Sequence, residues 1–66
     1  MKLELAESLE VGDIIKNTKS GVNFEITRVI TDSRCSPEYV TKSLKDGNEC
    51  GGTFFTWLMG EDWIKI

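Results

Sequence analysis

Histidine is missing from this chain, and cysteine occurs only twice, at Cys35 and Cys50. Structural zinc takes four ligands, drawn mostly from cysteine and histidine. Two thiols without an imidazole cannot supply that set within one chain, so neither a metal nor a cofactor is expected. The same absence bears on catalysis. Arg34 stands beside Cys35 in "DSRCSPE", and a neighbouring cation can lower a thiol pKa. No histidine is there to act as its base, and a cysteine hydrolase is excluded. Glu61 and Asp62 are adjacent in a turn signal, with nothing around them to raise a carboxyl pKa. Gly51–Gly52 has no following lysine or helix and is no phosphate cradle; it reads as a bulge or tight bend. No catalytic residue is assigned, and the chain is read as a non-enzyme.

Long apolar runs are also missing. The first thirteen residues, "MKLELAESLEVGD", are acidic and broken by polar residues. They resemble neither a secretory signal nor a membrane span. With Met1 in place, a cytoplasmic location is expected, where both thiols stay reduced.

A positive excess is lacking as well. Eight Lys and Arg face eleven Asp and Glu, a net charge of −3. The first thirteen residues hold Lys2 against Glu4, Glu7, Glu10 and Asp13, so the acidity gathers at that end. Duplex-binding proteins carry clustered positive charge. The spacing of three between these acids would make a stripe on a helix. No continuous helix is expected across Val11–Gly12, so the spacing is read as accidental; the rival reading is an acidic surface for a basic partner.

What is present is a rapid succession of turn signals: "VGD" at 11–13, "KNTKSG" at 16–21, "DSRCSP" at 32–37, "KDGN" at 45–48, "GG" at 51–52 and "GED" at 60–62. Between them lie short runs rich in β-branched and aromatic residues, the pattern of antiparallel strands. In 66 residues this makes one small all-β domain spanning 1–66. "KLEL" at 2–5 and "WIKI" at 63–66 alternate, each offering two aliphatics to one face, and are expected to pair and close a barrel. "VNFEITRVIT" at 22–31 is the longest strand. Strict alternation there would bury Arg28, so a register-shifting bulge is expected near Thr27–Val29. "EYVTKSLK" places Val40 and Leu44 on one face, and "DG" at 46–47 marks a hairpin. A helical turn is possible near residues 6–10. For "TFFTWLM" a strand is favoured over a helix beginning at Thr53.

The succession "SLEVGDIIKN", "SGVNFEITRVI", a hairpin and a final apolar strand resembles the SH3-like small β-barrels. The resemblance implies a five- to six-stranded antiparallel barrel. The paired tyrosines of the eukaryotic SH3 ligand groove have no counterpart here, so it implies no binding residues.

Four of the six aromatics fall between Phe54 and Trp63. If 53–59 is a strand, Phe55, Trp57 and Met59 share one face, and Phe54, Thr56 and Leu58 the other. Most of the run should be core. Phe54 and Leu58 are expected to remain as an exposed apolar patch, and Trp57 and Tyr39 complete the candidate contact set, because Trp and Tyr are enriched at binding hot spots. The function expected is a non-catalytic protein-binding module that docks on a larger cytosolic protein. Its size and acidity suit a small accessory or inhibitor protein of the kind bacteriophages encode. A homodimer through an unpaired edge strand is compatible with this. The alternative is a single-stranded nucleic-acid-binding barrel using Trp57, Phe54 or Tyr39 as stacking platforms. Lys16, Lys19 and Lys45 flank two loops at one end and could meet phosphates, but Asp46 and Glu49 share that end.

A meander also sets Cys35 and Cys50 at opposite ends, with Ser43 opposite Cys50, so no intrachain disulfide is expected. The same layout brings Arg34 to the end that holds Glu61 and Asp62.

Overall fold

The computed structural model describes residues 1–32 and 35–66, and side chains outside 32–36. Five antiparallel strands, β1 (Ile14–Asn17), β2 (Asn23–Asp32), β3 (Cys35–Ser43), β4 (Glu49–Phe54) and β5 (Trp63–Lys65), form one sheet in the order β4-β3-β2-β1-β5. A short helix, α1 (Leu3–Glu7), precedes the sheet, and a 3-10 helix (Phe55–Leu58) links β4 to β5. The all-β expectation holds. The sheet, however, is open, with β4 and β5 as its edges.

The expected closure of "KLEL" on "WIKI" does not form. Residues 3–7 are helical, and β5 pairs with β1 instead, Ile15 opposite Lys65 and Asn17 opposite Trp63. Leu, Glu and Ala are strong helix formers, and a two-residue alternation only four residues long does not outweigh them. The helix lies slightly before the turn expected at 6–10. Five residues are too few to hold a helix by themselves, so tertiary contacts must fix it. Ala6 is fully buried, and its carbonyl accepts a 2.6 Å hydrogen bond from the Tyr39 hydroxyl. The Met1 ammonium donates to the carbonyls of Leu58 (3.0 Å), Trp63 (2.9 Å) and Gly60. The first segment therefore sits beside the last strand after all, but through its terminus rather than a ladder. Ile64 and Ile66, expected to point inward, are 45% and 64% exposed; Trp63 is the β5 residue that packs on the core.

β2 carries the expected bulge. Its pairing with β3 shifts between Ile26 and Arg28, so Ile26 is buried, Arg28 turns to solvent and Val29 packs on the core. A second shift lies between Ile30 and Asp32. Pro37 occupies β3 there, beyond the last pairing with β4 at Glu38–Phe54, where a missing N–H costs least.

The β3–β4 hairpin differs from its expected form. The Gly47 N–H donates to the Ser43 carbonyl and the Ser43 N–H to the Asn48 carbonyl, which closes a loop over Leu44–Gly47. Gly47 has φ of 78°, which glycine adopts without steric cost. Leu44 is thus in the turn and 47% exposed, not a partner of Val40. Among the described side chains of β3, Tyr39 and Thr41 are buried. Cys50 lies opposite Thr41 rather than Ser43. The Cys35 side chain, and with it the expected absence of a Cys35–Cys50 disulfide, lies outside the described side chains. The expected approach of Arg34 to Glu61 and Asp62 lies outside the described residues. Asp62 instead meets Lys19 at 3.4 Å, in an exposed pair of the kind that adds little.

The core consists of Ala6, Leu9, Ile15, Ile26, Tyr39 and Leu58, with Met1, Phe24, Val29, Phe55 and Trp63 packed against it. Phe24 and Trp63 meet at 5.5 Å between ring centroids. The "VGD" segment joins this core to the strands. Gly12 donates to the Ile26 carbonyl, and Ile26 donates back to the Asp13 carbonyl. The Asp13 carboxylate accepts the Glu10 N–H at 2.8 Å and meets Lys65 Nζ at 3.7 Å. Asp13→Ala is expected to cost about 0.5–2 kcal/mol, as loss of a cap does, and Asp13→Asn less, because its oxygen can still accept. Urea denaturation checks this; equal stability of all three proteins would contradict it.

Candidate functional site

Directly opposed residues on neighbouring strands share a face, so the register defines what the sheet presents outward. Ile30, Glu38 and Phe54 form one such row across β2, β3 and β4. Glu25, Lys42 and Glu49 form another, with alternating charge. Arg28 opposite Val40 lies between them. Beyond Val40 the β3–β4 pairing shifts, Gly51 and Gly52 facing the one residue between Tyr39 and Thr41. Gly52 has φ of 75°, so the expected glycine bulge is present at this edge.

The strand ends at Phe54, and the next four residues turn into the 3-10 helix. A strand over 53–59 is therefore incorrect beyond Phe54, and so are the faces derived from it. In a 3-10 helix a side chain comes round every third residue instead of every second. Phe55 and Leu58, three apart, share the core-facing side. Leu58 is completely buried, and Phe55 packs on the core. Trp57 turns outward and is 63% exposed. Of the four candidate contact residues, Phe54 and Trp57 reach the surface. Leu58 and Tyr39 do not, and both are corrected to core residues.

Phe54 is 46% exposed and meets Trp57 edge to face, with ring centroids 5.6 Å apart and planes at 78°. Exposed Ile30 lies in the Phe54 row, and Glu38 stands between the two. Met59, just past the 3-10 helix, is also exposed. Ile30 was missed in the sequence because its facing depends on the bulge at Ile26–Arg28. Met59 was assigned with Phe55 and Trp57 to the face opposite the expected Phe54–Leu58 patch, and the turn into the 3-10 helix leaves both Met59 and Trp57 exposed instead.

The acidic series does not form a surface stripe. α1 ends at Glu7, and Asp13 is engaged with Glu10 and Lys65. The lysine-flanked loops do lie at one end, where the Leu44 N–H donates to the Asn23 carbonyl. Cys50 is exposed on β4. Among the described residues no three His, Cys, Asp or Glu side chains are grouped to hold a metal, and no helix is long and apolar enough to cross a membrane. No protein-family model matches this sequence, and no significant match was found among curated proteins or solved structures.

Proposed function

We propose that this chain is a non-catalytic protein-binding module that docks on a larger cytosolic protein through Phe54 and Trp57. The observation that carries the reading is the aromatic pair itself, two large side chains held edge to face while 46% and 63% exposed. Aromatic pairs are worth about 0.5–1.5 kcal/mol beyond their burial, so the two rings hold each other in place before any partner arrives. Preorganised aromatic anchors are typical of binding hot spots. Small size and net acidity favour an accessory or inhibitor role of the bacteriophage kind over catalysis.

The fold reading that accompanies this is an SH3-like barrel. What supports it is the return of β5 to β1 and the length and register shifts of β2, although the sheet itself is open. Nucleic-acid stacking is the weaker reading, because Phe54 lies directly opposite Glu38 and a stacking platform needs a basic groove.

Affinity capture from a lysate of the organism that encodes the chain tests the proposal. One protein in stoichiometric amount is expected with the wild type, and its loss with the doubly substituted Phe54→Ala, Trp57→Ala chain, whose circular dichroism should match the wild type. Undiminished capture by the double variant would remove Phe54 and Trp57 from the interface. Sub-micromolar binding of single-stranded RNA or DNA at about 0.15 M salt, with a steep salt dependence, would favour the nucleic-acid reading.

A further inference from the structure

The open sheet has two edges, and they differ. β5 is three residues long and carries Lys65, and the Met1 ammonium takes its Trp63 carbonyl. Shortness, a lysine and occupied backbone groups all protect an edge from further pairing. β4 is six residues long, "ECGGTF", and holds no lysine, arginine or proline. Among the described residues its one neighbour in the sheet is β3. The backbone groups along its outer side are a template for one more strand.

The register specifies the side chains that such a strand needs. Exposed Glu49 ends the row Glu25–Lys42–Glu49, in which two carboxylates share one cation. Neither ion pair found among the described residues involves Glu49. A basic residue opposite Glu49 continues the alternation of charge. Phe54 ends the row Ile30–Glu38–Phe54. A guanidinium opposite Phe54 can stack on the exposed Phe54–Trp57 pair, with the Glu38 carboxylate one strand beyond. The net charge of −3 draws a basic segment from a distance. Side chains on one face of a strand stand at even spacing. β3 meets Glu49 and Phe54 with Lys42 and Glu38, four apart, because the Gly51–Gly52 bulge absorbs one residue of β4. A second copy of β4 has no cation to set against Glu49, so it does not suit this edge. We propose that β4 accepts an extended segment of a partner protein as a sixth strand, with two basic residues four apart on one face, opposite Glu49 and Phe54. This rests on the docking reading above and names the chemistry of the partner.

The test is an amide chemical-shift titration of the folded chain with acetyl-Thr-Arg-Thr-Val-Thr-Arg-Thr-amide, to about 5 mM. Saturable shifts concentrated in residues 49–54 are expected. The isomer acetyl-Thr-Arg-Thr-Val-Arg-Thr-Thr-amide has the same charge but puts its arginines on opposite faces. It should bind at least about fivefold more weakly, and a peptide with glutamate for both arginines at least about tenfold. Replacing either arginine by glutamine should weaken binding about threefold. In the Glu49→Gln chain one of these two losses should vanish and the other persist; which one vanishes gives the direction of the added strand. Absence of saturable shifts, equal binding of the isomer, or both losses persisting in Glu49→Gln would overturn the proposal. So would β4 shifts on dilution without peptide, which would put a second copy on the edge. The doubly substituted Phe54→Ala, Trp57→Ala chain separates this proposal from the docking reading. Weaker peptide binding there, with no preference between the isomers, leaves the aromatic docking reading and removes the strand. Undiminished binding there, with the isomer preference intact, keeps the strand and removes the aromatic anchors.

Discussion

Leu58→Ala is expected to lower stability by about 2–5 kcal/mol, the range for removing a buried leucine, whereas Trp57→Ala, one residue earlier, is expected to cost less than about 1.5 kcal/mol. Leu58 is fully buried in the one core, and its carbonyl also receives the Met1 ammonium. Trp57 is 63% exposed and touches Phe54 from outside. A domain of this size has a total stability of roughly 3–10 kcal/mol, so Leu58→Ala removes a large share of it and can leave the chain partly unfolded at room temperature. Thermal melts of the two variants separate the cases. A large loss for Trp57→Ala with little for Leu58→Ala would mean that 53–59 runs as a strand and that the 3-10 assignment is wrong.

Tyr39→Ala is expected to be at least as damaging, by about 3–5 kcal/mol for the lost ring. The Ala6 carbonyl loses its partner besides, and an unmet buried acceptor costs about 1–3 kcal/mol. Tyr39→Phe isolates that second part, because the ring stays, and each kcal/mol should lower Tm by about 4–8 °C in a domain this small. Burial pushes the Tyr39 phenol above its ordinary value; a backbone hydrogen bond at Leu9 opposes this, and the nearby Glu7 and Asp13 charges add to it. An acid whose folded pKa is raised holds its proton longer in the folded state than in the unfolded one. Its contribution is therefore complete below the unfolded value, about 10, and stability falls as pH rises beyond it. Tyr39 is the single tyrosine of the chain, so phenolate absorbance reports it alone. The expected midpoint lies above the ordinary value in the folded protein and returns to it in denaturant. Tyr39→Phe should lose less stability than the wild type between about pH 9 and 11. An ordinary phenol midpoint in the folded state would show that Tyr39 is not enclosed by α1.

Turn chemistry made much of the topology legible. "DG" and "VGD" marked where the chain reverses, and the conflict at Arg28 revealed the β2 bulge, because burying an unpaired guanidinium costs too much to be tolerated. Where local signals were short, they misled. "KLEL" satisfied a strand alternation over four residues, but its helix formers decided once the Tyr39 hydroxyl could donate to the Ala6 carbonyl. "EYVTKSLK" was assigned the wrong inward face: Tyr39 and Thr41 are buried, and closure of the hairpin at Ser43–Asn48 leaves Leu44 in the turn. Phe54 and Trp57 were both named from the sequence as contact residues, but their pairing was not visible, since it depends on the change from period two to period three after Phe54.

The sequence by itself determined a single small chain of antiparallel strands, too poor in metal ligands for the usual zinc site and without a positive excess. Composition and turn residues act locally and need no knowledge of neighbours. Only the tertiary structure decided that the first segment is a helix, that Leu58 and Tyr39 lie inside, and that Phe54 and Trp57 remain outside. Each of these depends on a partner distant in sequence: Tyr39 on Ala6, Leu58 on Met1, β5 on β1. In a core with six buried apolar residues among those described, one such contact decides which face of a segment is turned inward, because there is room for only one.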